Sequence, residues 1–202
     1  MWAAGYDADV NLTDEDNEYP FAGYKDILGL IYAEIMAAGP CDVLDVGLGT
    51  GVLTTKLYDA DNRIVGVDFS EKMLEIAGGK MPGAELICHD FTKGLPDKLA
   101  GQKFDFIVST YALHHLSDEE KLRFIADALE HLNPTGTIII GDTAFESAEA
   151  QDKCRVDWGD DWDEDEFYIV YPEFAKLMDD GCKTDYRQIS HCGGILTVRH
   201  VS

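Results

Sequence analysis

The sequence has 202 residues, of which 46% are hydrophobic and 27% are charged, and this is the length and composition of one globular domain. Its 16 basic and 39 acidic residues give a formal net charge of −23. A field of this sign repels the phosphates of nucleic acids and the headgroups of anionic lipids. We therefore expect no nucleic acid and no membrane among its partners, while the sequence leaves the oligomeric state open.

Cysteine usage and hydropathy predict the compartment of the protein. The five cysteines are odd in number and include no C-x-x-C pair, which favours free thiols over a disulfide framework or a zinc site. No apolar stretch approaches the ~18 residues needed to span a bilayer, and the N-terminal stretch is acidic where a signal peptide is basic. The sequence thus predicts a soluble, cytoplasmic protein.

A single domain is predicted over residues 1–202. Residues 1–21 mix acidic and aromatic side chains without a period, which indicates an arm that either folds over a pocket or frays. Apolar residues recur at three- and four-residue steps from 21 to 38, as in a helix. Strand and helix patterns then alternate over a core at 41–142, which predicts a mostly parallel sheet covered by helices on both faces. Strands are predicted at 41–47, 63–68, 84–90, 104–109 and 137–142, and helices at 50–59, 70–79, 117–132 and 172–180.

The last third of the chain has two further predicted parts. An exposed acidic insertion is expected at 145–170, because seven of the ten positions from 157 to 166 are acidic. Trp158 and Trp162 interrupt this run and are expected to anchor it. Two strand patterns within 182–202 predict an antiparallel hairpin that closes the edge of the sheet.

The most informative motif is a strand that ends in Asp45 and continues through Gly47, Gly49 and Gly51 into a helix. Glycines at these positions let the backbone turn tightly and let a ligand lie against it. The dinucleotide fingerprint G-x-G-x-x-G is not matched, because Val52 holds the position of its third glycine. A carboxylate at Asp45 would repel a pyrophosphate, so it suits a ligand that carries a positive group.

Two further acidic residues follow the next two predicted strands. Asp68, which comes 19 residues after Gly49, can accept hydrogen bonds from both hydroxyls of a ribose. Asp90 can accept a hydrogen bond from an adenine amino group, while Phe69 or Phe91 packs on the ring. S-adenosylmethionine combines these parts, because it is a nucleoside with a cationic, phosphate-free end.

Five motifs occur in a fixed order between residues 43 and 140. They are the loop D-V-G-L-G-T-G, Asp68 with Phe69-Ser70, Asp90-Phe91, F-D-F-I-V-S-T-Y-A-L-H-H-L and L-N-P-T-G-T-I-I-I. In these motifs and their spacing the chain resembles the class I S-adenosylmethionine-dependent methyltransferases. Through residues 2–7, 109–121, 142–145 and the closing hairpin it resembles, more narrowly, the small YrrT-like bacterial methyltransferases.

The resemblance implies a Rossmann-like α/β fold, a three-layer sandwich whose seven-stranded, mostly parallel sheet has an antiparallel last strand. It also implies S-adenosylmethionine as the cofactor and S-adenosylhomocysteine as its product. Asp45 is expected near the ammonium group of the cofactor, Asp68 at its ribose and Asp90 at its adenine. The implied cofactor-binding residues are Asp45, Gly47, Gly49, Gly51, Asp68, Phe69, Asp90, Phe91, Ser109 and Thr110.

Methyl transfer from a sulfonium is an in-line displacement that gains most from alignment and exclusion of water, so few dedicated catalytic residues are expected. For an acceptor that loses a proton, the predicted catalytic residues are His115, His114 and Tyr111, after the fourth strand of the core. Each histidine has an alternative role in capping or packing the next helix. No metal site is expected, because Asp142 alone is a poor ligand set.

The sequence is compatible with three functions to different degrees. The favoured one is S-adenosylmethionine-dependent methylation of a small molecule. The alternative is a catalytically silent cofactor-binding or regulatory module whose acidic run at 157–166 docks a basic partner. Oxidoreduction with a nicotinamide cofactor is disfavoured by Val52 and Asp45.

Overall fold

The computed structural model describes residues 17–201. The arm predicted at 1–21 therefore lies mostly outside the described residues. The helices are α1 (Tyr24–Ala37), α2 (Val52–Tyr58), α3 (Glu71–Lys80), α4 (Asp118–Glu130), α5 (Ala148–Trp158) and α6 (Tyr171–Ala175). The strands are β1 (Asp42–Val46), β2 (Arg63–Asp68), β3 (Glu85–Cys88), β4 (Phe104–Thr110), β5 (Leu132–Phe145), β6 (Ile169–Val170), β7 (Cys182–Gln188) and β8 (Gly193–His200).

The main path of the sheet has seven strands in the order β3-β2-β1-β4-β5-β8-β7. Strands β1 to β5 run parallel to one another, and β8 runs antiparallel to both β5 and β7. The two-residue strand β6 pairs with the end of β5, off this path. The predicted Rossmann-like sheet with an antiparallel last strand is confirmed.

Helices cover both faces of the sheet, as the alternating pattern predicts. On one face, α1 buries Ile27, Ile31 and Ile35 together with apolar residues of α2 and β1. On the other face, α4 buries Phe124 and Ile125 against β4 and β5. Because α1 and α4 both have apolar residues at three- and four-residue steps, one stripe of each helix faces the sheet and the opposite stripe faces solvent.

The start of α4 is set by the predicted capping box. Ser117 Oγ accepts a hydrogen bond from the backbone N–H of Glu120, and Glu120 Oε2 accepts one from the backbone N–H of Ser117 at 2.9 Å. These reciprocal bonds satisfy two donors that the first helical turn would leave unpaired. This helix therefore begins where the sequence predicts.

Three segments differ from the prediction. Helix α6 ends at Ala175, not at 180. Strand β5 begins at Leu132, not at 137, because residues 133–136 continue it through a bulge at which the register with β4 shifts. The acidic insertion at 145–170 contains α5 and β6. Trp158 and Trp162 anchor this insertion as expected, since both pack on a cluster that includes Phe145.

The described part of the chain has no helix long and apolar enough to cross a membrane. All five cysteines are free thiols, as their number and spacing predict.

Candidate cofactor and acceptor site

A cavity of about 480 Å³ lies at the carboxyl ends of β1, β2 and β4. The strand order reverses between β1 and β4, and ligands of open α/β sheets bind at such switch points. The volume falls in the range of small-molecule sites, which is roughly 300–1,000 Å³. The predicted site residues that line it are Asp45, Gly47, Gly49, Asp68, Phe69, Phe91, Thr110, Tyr111 and His115.

The loop between β1 and α2 has a backbone that glycine alone adopts without strain. Gly47, Gly49 and Gly51 have φ angles of 77°, 55° and 75°. A Cβ on Gly47 would lie 2.4 Å from the Cβ of Ala112. The backbone N–H of Gly49 donates to Asp68 Oδ2 at 2.9 Å, which ties the loop to the end of β2. The chain's own contacts therefore set the shape of this loop.

Asp45 places a buried carboxylate beside the loop. The residue is 1% exposed, and its Oδ2 accepts a hydrogen bond from Thr54 Oγ1. Its Oδ1 has no hydrogen-bond partner among residues 17–201. Burial, supported by the nearby carboxylate of Asp68, raises the pKa of Asp45 to about 7. Since an unpaired buried acceptor is costly, Oδ1 is a natural binding point for a cationic donor.

The end of β2 forms the rim of the cavity. Asp68 is buried, and its Oδ1 accepts a hydrogen bond from the backbone N–H of Ser70 at 2.8 Å. The neighbouring Phe69 is 68% exposed although its side chain is large and apolar. A planar ring stacked on this phenyl group would remove it from water. The unpaired carboxylate oxygen of Asp45, the glycine loop and the exposed phenyl ring of Phe69 together fit a nucleoside with a positively charged end.

Two predicted cofactor-binding residues pack inside the fold and do not line the cavity. Gly51 faces α3, where an added Cβ would meet Met81 Cε at 3.1 Å. Ser109 Oγ is buried and donates to the backbone carbonyl of Val46 at 2.8 Å. Gly51 therefore lets α2 and α3 approach each other, and Ser109 links β4 to β1.

Asp90 also lies outside the lining. Its Oδ1 accepts hydrogen bonds from the hydroxyl and the backbone N–H of Thr92, and its Oδ2 lies 2.9 Å from Lys93 Nζ. The Thr92 hydroxyl and the Lys93 ammonium lower the pKa of Asp90 to about 2. Its carboxylate thus caps the turn after β3, and its contact with an adenine amino group stays a prediction.

His114, the fourth predicted residue outside the lining, lies between two carboxylates. Its Nδ1 is 2.6 Å from Asp142 Oδ1, and its Nε2 is 3.5 Å from Glu166 Oε1. Burial opposes protonation of His114, but the two carboxylates outweigh burial and raise its pKa. Burial would raise the pKa of Asp142, but His114 and the backbone N–H of Thr143 hold it below its usual value.

His115 and Tyr111 are the predicted catalytic residues that do line the cavity. The His115 ring meets the His114 ring edge-on, with centroids 4.3 Å apart. Burial and the neighbouring His114 lower the pKa of His115. Tyr111 has a φ of 51°, and its ring centroid lies 5.1 Å from that of Tyr24. The segment after β4 therefore forms a polar and aromatic wall of the cavity, which meets the glycine loop where Ala112 lies against Gly47.

Sequence reasoning missed two residues that contact the segment forming this wall, Glu166 and Lys121, neither of which lines the cavity itself. Glu166 belongs to the acidic run that was predicted to be solvated, yet its Oε1 lies 3.9 Å from His115 Nδ1. Lys121 Nζ is fully buried and donates to the backbone carbonyls of Leu116 at 2.5 Å and Phe167 at 2.6 Å. Lys121 therefore ties the residue after Glu166 to the turn that follows the histidines.

A signal for Lys121 was present in the sequence. Lys121 precedes Phe124, Ile125 and Ala128 by three, four and seven residues, which is the spacing of the apolar stripe of α4. A lysine on such a stripe needs acceptors inside the protein. No comparable signal exists for Glu166, because an acidic run gives no indication of which member turns inward.

Replacing Lys121 by methionine is expected to lower the free energy of unfolding by about 2 kcal/mol. Methionine keeps the hydrocarbon stem but leaves the two carbonyls without their charged donor. Urea unfolding measures the change. Arg123→Met on the same helix is the control, because the Arg123 side chain is 64% exposed and its loss should cost little. Equal losses in the two variants would contradict the role given to Lys121.

Comparison with known proteins identifies the family. A family model described as a methyltransferase domain matches residues 43–136. An uncharacterized methyltransferase of Anoxybacillus flavithermus is 37% identical over 185 residues, which cover 88% of this chain and 84% of that protein. The uncharacterized methyltransferase YrrT of Bacillus subtilis is 40% identical over 160 residues, which cover 76% of this chain and 71% of YrrT. The chain belongs to this methyltransferase family.

Solved structures of other methyltransferases have the same fold as this protein. Magnesium protoporphyrin IX methyltransferase from Synechocystis aligns with a TM-score of 0.70 at 20% identity, over 90% of this chain and 85% of that one. A TehB-like methyltransferase from Corynebacterium glutamicum aligns with a TM-score of 0.67 at 15% identity, over 98% of each chain. The predicted membership of the class I, YrrT-like group is confirmed, and S-adenosylmethionine is the cofactor of the methyltransferase.

Proposed function

We propose that the methyltransferase transfers the methyl group of S-adenosylmethionine to a small-molecule acceptor. The observation that carries the proposal is the unpartnered Oδ1 of Asp45 in a cavity that Tyr111 and His115 also line. The bound cofactor supplies an electrophilic methyl group, and the product of its loss is S-adenosylhomocysteine. A cavity of about 480 Å³ supports a small acceptor rather than a polymer.

On the cofactor side, each residue has a proposed task that follows from its position. Asp45 binds the ammonium group, since that group would pair its free oxygen and compensate its buried charge. Gly47 and Gly49 let the amino-acid part of the cofactor lie against the backbone, because neither carries a Cβ. Phe69 covers one face of the adenine. Together these contacts fix the direction in which the methyl group points.

On the acceptor side, Tyr111 and His115 orient the attacking atom and exclude water from it. In-line displacement depends mainly on alignment, so a wall that holds the acceptor along the axis of the breaking bond supplies most of the acceleration. The polar atoms of the two side chains also offer positions to which a proton of the acceptor can pass. His114 supports this wall through its contact with the His115 ring.

Solved neighbours support a small acceptor. The Synechocystis enzyme is named for magnesium protoporphyrin IX, and it was crystallised with bound S-adenosylhomocysteine. Another neighbour of this fold is an N-methyltransferase in complex with the same molecule. The name of the first enzyme gives a small acceptor, which supports the proposed size class of the acceptor and not its identity.

Incubation with methyl-labelled S-adenosylmethionine and fractionated small-metabolite pools tests the proposal. We expect label in at least one small product, and a loss of at least about tenfold in kcat for His115→Asn with unchanged affinity for S-adenosylhomocysteine. His191→Asn is the control, because it removes an exposed imidazole that does not line this cavity. Absence of label across all pools, with intact binding of S-adenosylhomocysteine, would contradict catalysis and favour a silent binding module.

A further inference from the structure

Three potential metal-ligating atoms converge beside the acceptor wall. They are His114 Nε2, His115 Nδ1 and Glu166 Oε1, which belong to a group whose ligand atoms all lie within 4.8 Å of one another. We propose that His114, His115 and Glu166 bind a divalent transition-metal cation such as Zn²⁺. The sequence did not predict this site, because Glu166 lies far from the histidine pair along the chain.

The distances among these atoms suit a shared cation better than hydrogen bonds. Zinc lies about 2.0–2.1 Å from histidine nitrogen and carboxylate oxygen, so two ligands of a tetrahedral ion are roughly 3.4 Å apart. Glu166 Oε1 is 3.5 Å from His114 Nε2 and 3.9 Å from His115 Nδ1. Both separations exceed a well-formed hydrogen bond. Shifts of a few tenths of an ångström would bring Glu166 to this spacing from both histidines, while the two histidine nitrogens, which lie within 4.8 Å of each other, would approach by up to about 1.4 Å.

The atoms that face away from the cluster already have hydrogen-bond partners. His114 Nδ1 is 2.6 Å from Asp142 Oδ1, so its N–H points to the carboxylate and Nε2 faces Glu166. A cation would take the place of the proton on Nε2, whose lone pair is the metal ligand. Tyr168 donates its hydroxyl to Glu166 Oε2 at 2.7 Å, which leaves Oε1 for the cluster. A carboxylate behind a ligating histidine is the usual arrangement around protein-bound metals, because it orients the ring and raises its basicity.

The Asp142 carboxylate is itself held rigidly. Its Oδ2 accepts the backbone N–H groups of Leu113 at 3.0 Å and His114 at 3.2 Å, and its Oδ1 accepts that of Thr143 at 2.8 Å. A carboxylate with this many donors has one orientation available. The direction of the His114 ring is therefore fixed by β5 and does not depend on a bound ligand.

The local charge also favours a dication. The carboxylates that act electrostatically on the histidine pair are Asp142, Glu166 and Asp163, and the ammonium group that does so is Lys121. Lys121 is already engaged by two backbone carbonyls. Buried and partly buried carboxylates are stabilised by positive charge close to them. A divalent cation between the histidines and Glu166 would supply that charge.

His115 connects this cation site to the cofactor cavity, since it belongs to both. Three protein ligands leave one position of a tetrahedral ion for a water or for a donor atom of another molecule. If methyl transfer occurs as proposed above, that donor atom is the oxygen, nitrogen or sulfur of the acceptor. The cation site itself does not depend on the proposed reaction.

Metal binding to the full-length protein tests the site directly. Protein treated with a chelator is titrated with Zn²⁺ against a chromogenic chelator, and with Co²⁺ followed by visible absorption. We expect one equivalent of either ion, with the intense bands of tetrahedral Co²⁺. Glu166→Gln and His115→Asn should each weaken binding at least tenfold, and Asp142→Asn should weaken it by 10- to 100-fold. His191→Asn, which removes an exposed imidazole outside the cluster, should bind as the unmodified protein does.

Two results would overturn the proposal. One is the absence of stoichiometric binding by a folded protein. The other is equal binding by Glu166→Gln and His191→Asn, which would indicate adventitious surface coordination. The metal titration involves no turnover and the labelling assay described above involves no metal readout, so a failure of the cation site is distinguishable from a failure of the proposed methyl transfer.

Discussion

Replacing Asp45 by asparagine is expected to stabilise the ligand-free protein and to weaken its binding of S-adenosylhomocysteine. The folded protein raises the pKa of Asp45 to about 7, above the value of 3.8 for an unperturbed carboxyl group. Ionisation therefore costs more in the folded than in the unfolded state. The stability that protonated Asp45 allows is full below about pH 4 and is lost progressively as the pH rises to about 7.

Urea unfolding of Asp45→Asn and the unmodified protein between pH 5 and pH 8 measures this effect. The advantage of the variant should grow by about 2–3 kcal/mol over that interval, because asparagine keeps an acceptor for Thr54 but cannot ionise. Asp59→Asn, at an exposed position just beyond α2, is the control and should show no such trend. A difference that does not vary with pH would mean that Asp45 is not a buried acid of raised pKa.

The same variant should bind S-adenosylhomocysteine about 10- to 100-fold more weakly, since a hydrogen bond to a charged group is worth about 1.5–3 kcal/mol. For the unmodified protein, affinity should fall as the pH drops below 7, because a protonated Asp45 no longer attracts the ammonium group. Calorimetric titration at pH 6 and pH 8 checks both expectations. Unchanged affinity would remove Asp45 from the cofactor site.

The second large effect is expected at the glycine loop, where two alanine substitutions should act differently. Gly47→Ala should lower the free energy of unfolding by about 3 kcal/mol, because alanine is strained at a φ of 77° and its Cβ would lie 2.4 Å from Ala112. Gly49→Ala should cost only about 1 kcal/mol, since its φ is 55° and no atom lies within 4 Å of the added carbon.

Affinity for S-adenosylhomocysteine distinguishes a glycine that contacts the ligand from one that only shapes the backbone. Gly49 lines the cavity, so the methyl group of Gly49→Ala takes space meant for a ligand and should weaken S-adenosylhomocysteine at least tenfold. Gly101→Ala is the matched control, because Gly101 has a φ of 78°, open space around its Cβ position and no place in the cavity lining. It should lose similar stability and no affinity. Equal affinity losses in both variants would indicate a global effect.

Much of the fold was predictable because local signals agreed with the tertiary structure. Strand β2 occupies the predicted residues, 63–68, and α4 begins at the predicted capping box. Helix α5 was missed because its sequence is polar and buries only Cys154, so no apolar stripe marked it. The early start of β5 was missed because Pro134 and Gly136 indicate a turn, whereas the structure accommodates them in a bulge.

The candidate site was predictable where it is built from one contiguous motif. The glycine loop and Asp68 are close in sequence, and their geometry follows from a strand that leads into a helix. The contact between Glu166 and His115 joins distant segments, which are held together by the hydrogen bond from the Phe167 N–H to the His114 carbonyl and by the bond from Lys121 to the Phe167 carbonyl. Asp90 and Ser109 also occupy motif positions, but their side chains form hydrogen bonds within the protein and do not line the cavity. A motif position alone therefore does not show that a residue contacts the ligand.

The buried Lys121 links two segments that contribute nothing to the glycine loop. Residues 159–168 reach the histidine turn through this lysine and through the hydrogen bond from the Phe167 N–H to the His114 carbonyl, and none of them lines the cavity. Replacing this segment while keeping the carbonyl of residue 167 within reach of the lysine would therefore change the contacts of His114 and His115 and leave the glycine loop as it is. The surroundings of the histidine pair are thus open to engineering by loop exchange at a single anchored position.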